Sequence, residues 1–457
     1  MKTIAINNTW LATSGFRLDA TFHLSDGPLT KLKLTKSPYP ISKLSTETKR
    51  IFKGNIFKRT YVSSRDYGFP FMTASDMMQS DISGDKFISK KYTDTKDLTI
   101  ERGWILVSRS GTLGNTVYTN ENFEDVIGTD DLIRIVPNNK RVKSGYLYAF
   151  LSSKYGRGLL TQSGYGGVVK HIEPHHIENL PIPILPEAKQ LKIHDLIVQS
   201  SILRTESKTI KTQLLQKISD YFENVYGRIE DTKISVRSIT DINCFEKRFD
   251  APYNIGSGRN IYNNIIADQH LPLSNLAEIF HPILFGKKQL KGSELRGNAL
   301  YKSSSMMRIK PETDFWLSPK KISAYSKLQV KEGWVLISRT GTVGNVVRIN
   351  KSMNNVFIDD HMIRVKPQEK YSGFIYVFLK SCYGQKLIQF QKYGSVQDVI
   401  NSEYIERIPI PSMLLKPEIL NEFNVGVQDA SDKIDMAYKN ENKAISLIEN
   451  EIESWQK

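Results

Sequence analysis

The sequence predicts an α+β protein: two duplicated mixed α/β domains separated by two long helices, which form an antiparallel coiled coil with pseudo-twofold symmetry. Three observations carry that prediction. The chain repeats itself once at an offset near 230 residues. Each repeat alternates short strands of branched residues with a helical stretch. Each repeat is then followed by a long run of apolar residues spaced by three and four. At 457 residues there is room for two domains, each burying its own core.

The repeat is read from five ordered matches. "RLDATF" (Arg17–Phe22) returns as "RFDAPY" (Arg248–Tyr253), and "GWILVSRSGTLGNTV" from Gly103 returns as "GWVLISRTGTVGNVV" from Gly333. "DDLIRIVP" from Asp130 is answered by "DHMIRVKP" from Asp360, and "YLYAFLSSKYG" from Tyr146 by "FIYVFLKSCYG" from Phe374. "IENLPIPI" from Ile177 is answered by "IERIPIPS" from Ile405. A period this long rules out a solenoid and indicates a duplicated domain. The expected boundaries are residues 1–184 and 229–412 for the domains, and 185–228 and 413–457 for the helices.

Within a copy, "WILVS", "TVYTN" and "LIRIVP" read as strands bounded by Gly, Asn and Pro. "GYLYAFLSSKYGRGLLTQ" reads as a helix, through Leu147, Phe150, Leu151 and the Leu159–Leu160 pair. "LPIPILP" has too much proline for a helix or a central strand and marks the domain end. The first long helix carries Ile193, Ile197, Leu203, Ile210, Leu214, Ile218, Phe222 and Val225 on one face. The second carries Leu420, Phe423, Val427, Ala430, Ile434 and Ala437, and continues through Ile445, Ile448, Ile452 and Trp455. So narrow an apolar seam needs a partner helix.

The net charge of +15 points to a polyanionic partner. No apolar run approaches the ~18 residues of a spanning helix, and "MKTIAINNTWLATSGF" has no apolar h-region, so a membrane partner is not expected. Cys244 and Cys382 lie far apart, which excludes a disulfide framework and a CxxC zinc site and suits a reducing cytoplasm.

With both glycine phrases, the "LPIPI" and "IPIPS" domain ends and a helical segment after each, the chain resembles the specificity (S) subunit of Type I restriction-modification systems over essentially its whole length. The resemblance implies that each globular part is a target-recognition domain reading one half of a bipartite site in double-stranded DNA. It implies that the helices set the unread spacer and dock modification subunits, two of them, which bind S-adenosylmethionine and methylate adenine. Restriction subunits join them in the full complex, and this chain carries no cofactor of its own. Two features depart from the family pattern. The domain ends continue as "ILPEAKQLKI" and "SMLLKPEILNEF" in place of a Pro, Leu and Glu-Gln cluster. The first helix is also polar in its middle, at Ser200, Ser207 and Lys208.

Candidate DNA contacts fall into two sets. The shared S-R-[ST]-G-T-x-G turn offers Arg109 and Thr112, and in the second copy Arg339 and Thr342, beside glycines that admit φ > 0. Since both copies carry it, the turn does not encode the bases. It reads as a hairpin whose Arg and Thr fasten the fold, with a phosphate grip open alongside that role. Base readers belong where the copies diverge. Lys49–Arg65 contributes Lys53, Lys58, Arg59, Ser64 and Arg65, interleaved with Phe52, Phe57 and Tyr61. Lys287–Lys310 contributes Lys287, Lys288, Lys291, Arg296 and Lys302, against Glu294 alone. A further divergent loop, "SGYGGVVKHIE" against "KYGSVQDVINS", contributes Lys170 and Gln397.

Three features imitate a catalytic site. "DAPY" (Asp250–Tyr253) is close to an adenine-methyltransferase motif, but its counterpart "DATF" lacks the proline and no glycine-rich cofactor loop accompanies either. "HIEPHH" (His171–His176) is broken by Pro174 and has no histidine in the second copy, so surface histidines are expected rather than a metal site. No nuclease carboxylate cluster or phosphate-binding P-loop stands out. The chain therefore reads as non-catalytic, with no metal and no cofactor. The rival classes are a self-contained DNA methyltransferase or nuclease, and an assembly scaffold that reads no bases. The specificity subunit of a methyltransferase–nuclease fusion system is a nearer variant.

Overall fold

The computed structural model describes residues 5–6, 8–13, 18, 23–80, 82, 86–162, 171–228, 234, 236, 248, 250–283, 289–291, 297–394 and 396–456. The chain divides into two compact units, one formed by Met1–Thr205 with Met436–Lys457 and the other by Glu206–Asp435.

The strands of the first unit are β1 (Ile41–Lys43), β2 (Thr48–Lys53), β3 (Tyr61–Val62), β4 (Gly68–Met72) and β5 (Phe87–Ser89). They continue with β6 (Ile105–Ser108), β7 (Thr116–Tyr118), β8 (Ile127–Gly128), β9 (Leu132–Pro137) and β10 (Pro181–Pro183). Among the described residues they form a main sheet in the order β2-β9-β6-β7, a small sheet β3-β5-β4-β8 and a pair β1-β10. The main sheet is antiparallel, while β4 and β8 run parallel.

The second unit repeats this topology. Its strands are β11 (His270–Pro272), β12 (Ala277–Phe280), β13 (Gln289–Lys291), β14 (Asn298–Tyr301) and β15 (Phe315–Leu317), then β16 (Val335–Ser338), β17 (Val346–Arg348), β18 (Phe357–Ile358), β19 (Met362–Pro367) and β20 (Pro409–Pro411). They are ordered β12-β19-β16-β17, β13-β15-β14-β18 and β11-β20. The strands expected from "WILVS", "TVYTN" and "LIRIVP" are β6, β7 and β9. The proline-rich domain ends form β10 and β20, each confined to a two-stranded pair where missing N–H donors matter least.

Side-chain alternation sets what each face of the main sheet touches. Ile105, Val107, Ile133 and Ile135 join a core with Tyr146, Phe150, Leu159 and Leu160, and with Ile193, Ile197, Ile448 and Ile452 of the two long helices. Their equivalents Val335, Ile337, Ile363 and Val365 pack on Phe374, Phe378, Leu387, Ile218, Phe222 and Phe423. The even-numbered residues face the other way. There Leu106 and Leu132 are fully buried, and so is Arg134.

The stretch expected as one helix is two, Ser144–Ser152 and Lys154–Gln162. Ser153 breaks it by accepting the Gly156 N–H at 3.2 Å on its side chain, as an N-cap does. A Cβ at Gly156 would run into the Phe150 carbonyl, so glycine permits the sharp joint. Ser381 and Gly384 repeat the arrangement in the second unit.

The long helices span Glu187–Tyr226 and Pro417–Ser454. In the first unit they lie antiparallel, with Lys189 paired to Glu451 at 2.7 Å and Ser200 donating to the Ala437 carbonyl at 2.8 Å. In the second unit Ser207 donates to the Ala430 carbonyl at 2.7 Å and Lys217 pairs with Glu422. The polar middle of the first helix is thus the seam itself. Ser200 and Ser207 are buried against alanines, which lets the helices approach closely and satisfies each hydroxyl on a helix carbonyl. Arg204 and Glu441 complete the seam as a buried ion pair, and Tyr148 donates to Glu441 at 2.7 Å. Burial, reinforced by Glu441, pushes the Tyr148 phenol well above its ordinary range, so it remains a donor. Val225, expected on the apolar face, is exposed at the helix end.

Candidate nucleic-acid interface

The shared turn is built by one serine. In the first copy the Ser108 hydroxyl donates to the Thr112 carbonyl at 2.6 Å and accepts the Asn115 N–H at 3.0 Å, closing the loop between β6 and β7. Ser338 makes the same two bonds to Thr342 and Asn345. Gly111 and Gly114 have φ of 70° and 75°, and Gly341 and Gly344 have 76° and 91°, which a Cβ disfavours. Gly114 also faces Leu160 and Thr161 of the neighbouring helix, where a side chain would crowd. The tips differ from the stems: Thr112 and Thr342 are exposed.

Arg109 follows the turn's leading strand and is held from two sides. Its Nε donates to Glu173 Oε1 at 3.0 Å, its Nη2 pairs with the same carboxylate, and its Nη1 reaches Asp131 Oδ1 at 3.1 Å. Lys53 adds a second cation 3.0 Å from Glu173 Oε2. Burial works against the Arg109 charge, yet Glu173 and Asp131 hold its pKa above the ordinary value. Burial likewise raises the Glu173 carboxyl, but Arg109 and Lys53 override it and hold it down to about 2. Arg109, Lys53, Asp131 and Glu173 form a closed quartet of two cations and two anions. In the first copy the turn arginine is held by carboxylates of its own domain.

In the divergent stretch of the first copy, Arg59 donates to Thr129 Oγ1 at 2.9 Å and pairs with Asp130 at 3.1 Å. The Ser64 hydroxyl is buried without a partner among the described residues. Lys58 and Arg65 are exposed, Arg65 lying 4.0 Å from Asp125. Lys170, Lys287, Lys288 and Arg296 lie outside the described residues, and of Lys291 only the backbone, in β13, is described. Lys302 is exposed with its ammonium 3.9 Å from the Phe315 ring centroid, and Gln397 is exposed. The structure thus gathers Lys53 with Arg109, sets Arg59 against Thr129 and Asp130 just after β8, and leaves Lys58, Ser64 and Arg65 in the chain that flanks the edge strand β3.

Two groups escaped the sequence reading. Around the small sheet of the first unit, Tyr61, Tyr67 and Tyr92 are more than half exposed beside Lys90 and Lys91. Lys90 is fastened to the same edge, its N–H donating to the Tyr67 carbonyl at 2.9 Å and its ammonium to the Arg65 carbonyl at 3.0 Å. The pairing of "KKY" with the distant Tyr61 and Tyr67 arises only once β3, β4 and β5 associate. The other group is the buried arginine in each copy. Arg134 donates to the carbonyls of Thr129, Leu132, Leu98 and Gly128 at 2.8–3.3 Å, strapping β9 to β8. Arg364 does the same to Asp359, Met362 and Ile358. Burial pushes each guanidinium down to about 10, so both stay charged at neutral pH.

The residues that imitate a catalytic site have local structural roles. Asp250 pairs with Arg248, and Tyr253 is buried and stacked on Phe390. His176 accepts the Glu173 N–H at 3.0 Å and so caps the short helix Pro174–Ile177. The matching "DATF" residues, Asp19–Phe22, lie outside the described residues. Among the described residues no cluster of His, Cys, Asp and Glu could hold a metal ion, and no helix is long and apolar enough to cross a membrane.

One frame is thus built twice, with different exposed cations on each copy. The chain belongs to the family described as "Type I restriction modification DNA specificity domain", whose signature matches residues 47–219 and again 273–417. It is therefore a DNA-recognition specificity subunit, with methyltransferase and restriction subunits as its partners and catalysis outside this chain. Solved structures similar to it include the S subunit of a Type I restriction-modification system from M. genitalium. The likeness is 12% in identity, covers 91% of this chain and 96% of that one, and has a TM-score of 0.35. The HsdS subunit from Thermoanaerobacter tengcongensis is also 12% identical, over 92% and 98% of the two chains, with a TM-score of 0.29. At such low superposition scores these likenesses add nothing to the family assignment. No curated protein matches the chain.

Proposed function

We propose that residues 1–184 and 229–412 each read one half of a bipartite duplex-DNA target, and that the long helices act as a coiled-coil spacer fixing the unread gap. Two methyltransferase subunits carrying S-adenosylmethionine then methylate adenine at the half-sites, and restriction subunits complete the complex. The observation that supports this best is the division between what the copies share and what they do not. The sheet order, the serine-locked turn and the strapping arginine are common to both units, whereas the exposed cations and aromatics are private to one. A reader of two different half-sites needs that division, because base edges are distinguished by side chains while the frame need only place them. In this reading Lys58, Arg65, Lys302 and Gln397 contact DNA, and Lys170, Lys287, Lys288, Lys291 and Arg296 belong to the same loops.

The test is to map methylated adenines in a host carrying the system, with this gene intact, deleted, or with residues 1–184 replaced by the corresponding domain of a relative. Replacement is expected to change one half-site and leave the other and the spacer as they were. Methylation that is unaltered by the exchange would instead make the chain a scaffold that reads nothing.

A further inference from the structure

The two turn arginines stand on the same backbone. The Arg109 N–H donates to the Asp131 carbonyl at 3.1 Å, and its own carbonyl accepts the Ile172 N–H at 3.1 Å. The Arg339 N–H donates to the His361 carbonyl at 2.9 Å, and its carbonyl accepts the Ile400 N–H at 3.2 Å. Strand register extends the equivalence. Phe52 lies opposite Arg134, and Phe280 lies opposite Arg364, so the following residues, Lys53 and His281, correspond.

Three of the side chains around that backbone have changed, while Asp130 keeps its counterpart in Asp360. Asp131 becomes His361, Glu173 becomes Asn401, and Lys53 becomes His281. Among the described residues, the side chain of Arg339 has one hydrogen-bond partner, Asn401 Oδ1 at 3.4 Å. The Nε–H that Glu173 satisfies in the first copy is, in the second, buried with no acceptor among the described residues. Asn401 can accept a hydrogen bond but brings no charge, so the guanidinium is not neutralised as Arg109 is. His361 is exposed, and its Nδ1 lies 3.0 Å from Thr340 Oγ1. His281 Nε2 lies 2.7 Å from the Asp360 carbonyl; burial, then Arg339 and Arg364, hold its imidazole below the ordinary value against the pull of that carbonyl. What was a self-neutralised quartet has become an arginine beside an amide, a hydroxyl and imidazoles, with Asp360 near His281 but no carboxylate bonded to Arg339 among the described residues. That donor set matches a phosphodiester, whose oxygens accept both planar guanidinium and hydroxyl donors.

From this difference we infer that Arg339, with Thr340 and His361, binds a backbone phosphate of the DNA held by the second domain, while Arg109 at the same place in the first domain binds none. The inference rests on the DNA-reading function proposed above. It divides the two turns, which the sequence alone treats alike.

The test measures binding of the full-length chain to a fluorescein-labelled duplex carrying the mapped target, by anisotropy between 50 and 250 mM KCl. Each phosphate contact contributes about −0.9 to the slope of log K against log salt. Arg339→Gln should reduce the slope by about that amount and weaken binding about tenfold on target and unrelated duplexes alike. Arg339→Lys should keep the slope. The paired change Asn401→Glu with His361→Asp, which gives the second copy the carboxylates of the first, should reproduce the loss with Arg339 still present. Arg109→Gln should leave the slope as it is. The inference is overturned if the carboxylate graft and Arg339→Gln both keep the wild-type slope, or if Arg109→Gln lowers it equally. A wild-type chain that binds with this slope but does not prefer its target overturns the specificity reading alone, since the phosphate count is independent of sequence.

Discussion

Each domain of this protein carries two arginines close to its glycine turn, and the duplication has treated them in opposite ways. Arg134 and Arg364 keep the same environment, each buried and donating to the carbonyls around β8 or β18. Arg109 and Arg339 keep the same backbone bonds but not the same neighbours, one facing two carboxylates and the other an amide. The first pair holds two sheets together, so any change there is felt throughout the domain. The second pair lies at the rim, where swapping a carboxylate for an amide leaves the fold in place and alters the field offered to a ligand. A residue repeated in a duplicated domain therefore does not have one role by virtue of being repeated. Its role follows from whether its partners were repeated as well.

The largest expected effect comes from the strapping arginines. Arg134→Met and Arg364→Met each leave several buried carbonyls without a donor, and should cost the affected domain about 4 kcal/mol. Hydrogen exchange in peptides covering β9 and β19 reads each domain separately. Near-equal losses are expected. A loss below about 1 kcal/mol in one domain would show that its arginine is not the strap and that the two frames are not equivalent.

Next in size is the quartet, which only the first domain possesses. Glu173→Gln should destabilise that domain by about 2 kcal/mol at neutral pH, by leaving Arg109 and Lys53 without their shared anion. The pH dependence has a definite sign. The folded-state carboxyl is held down to about 2, below its unfolded value, so its stabilisation is complete above roughly pH 4.5 and is lost as pH falls toward 2. Exchange in β9 peptides should therefore accelerate across that acid window, and Glu173→Gln should remove Glu173's share of the acceleration. An acid response unchanged by the substitution would mean that Glu173 does not hold Arg109 in solution.

Much of the frame was legible in the sequence because a duplicated chain carries its own comparison: "LIRIVP" and "MIRVKP" identify a strand more firmly together than either does alone. What was not legible depended on residues that meet only in three dimensions. Glu173 lies 64 positions from Arg109 and Asp131 lies 22 away, so nothing local to the turn told that its arginine was already paired. The burial of Arg134 has no local signal, since a charged residue inside a strand ordinarily faces solvent, and it is four distant or neighbouring carbonyls that make burial tolerable. Ser200 and Ser207 make the middle of the first helix polar in sequence. Hydropathy does not register that serine is small and can donate to a neighbouring helix carbonyl. The tyrosines and lysines around the small sheet stand on or beside three strands, and they meet only when those strands pair.

The smallest expected effect tests the shared half of the comparison. Gly111 and Gly341 sit at the turn tips with φ of 70° and 76°, and a Cβ on either would meet nothing within 4 Å. Substitution by alanine therefore introduces backbone strain and no clash, at a cost of about 1 kcal/mol in each domain. Gly114→Ala should cost more, about 2 kcal/mol, because the same strain is joined by crowding against Leu160 and Thr161. Equal small losses for the two tip glycines, read by the same exchange peptides, are what a turn conserved for its shape requires. If Gly341→Ala were far more costly than Gly111→Ala, the second turn would be held by something the first lacks. The difference between the domains would then lie in the backbone as well as in the charges around it.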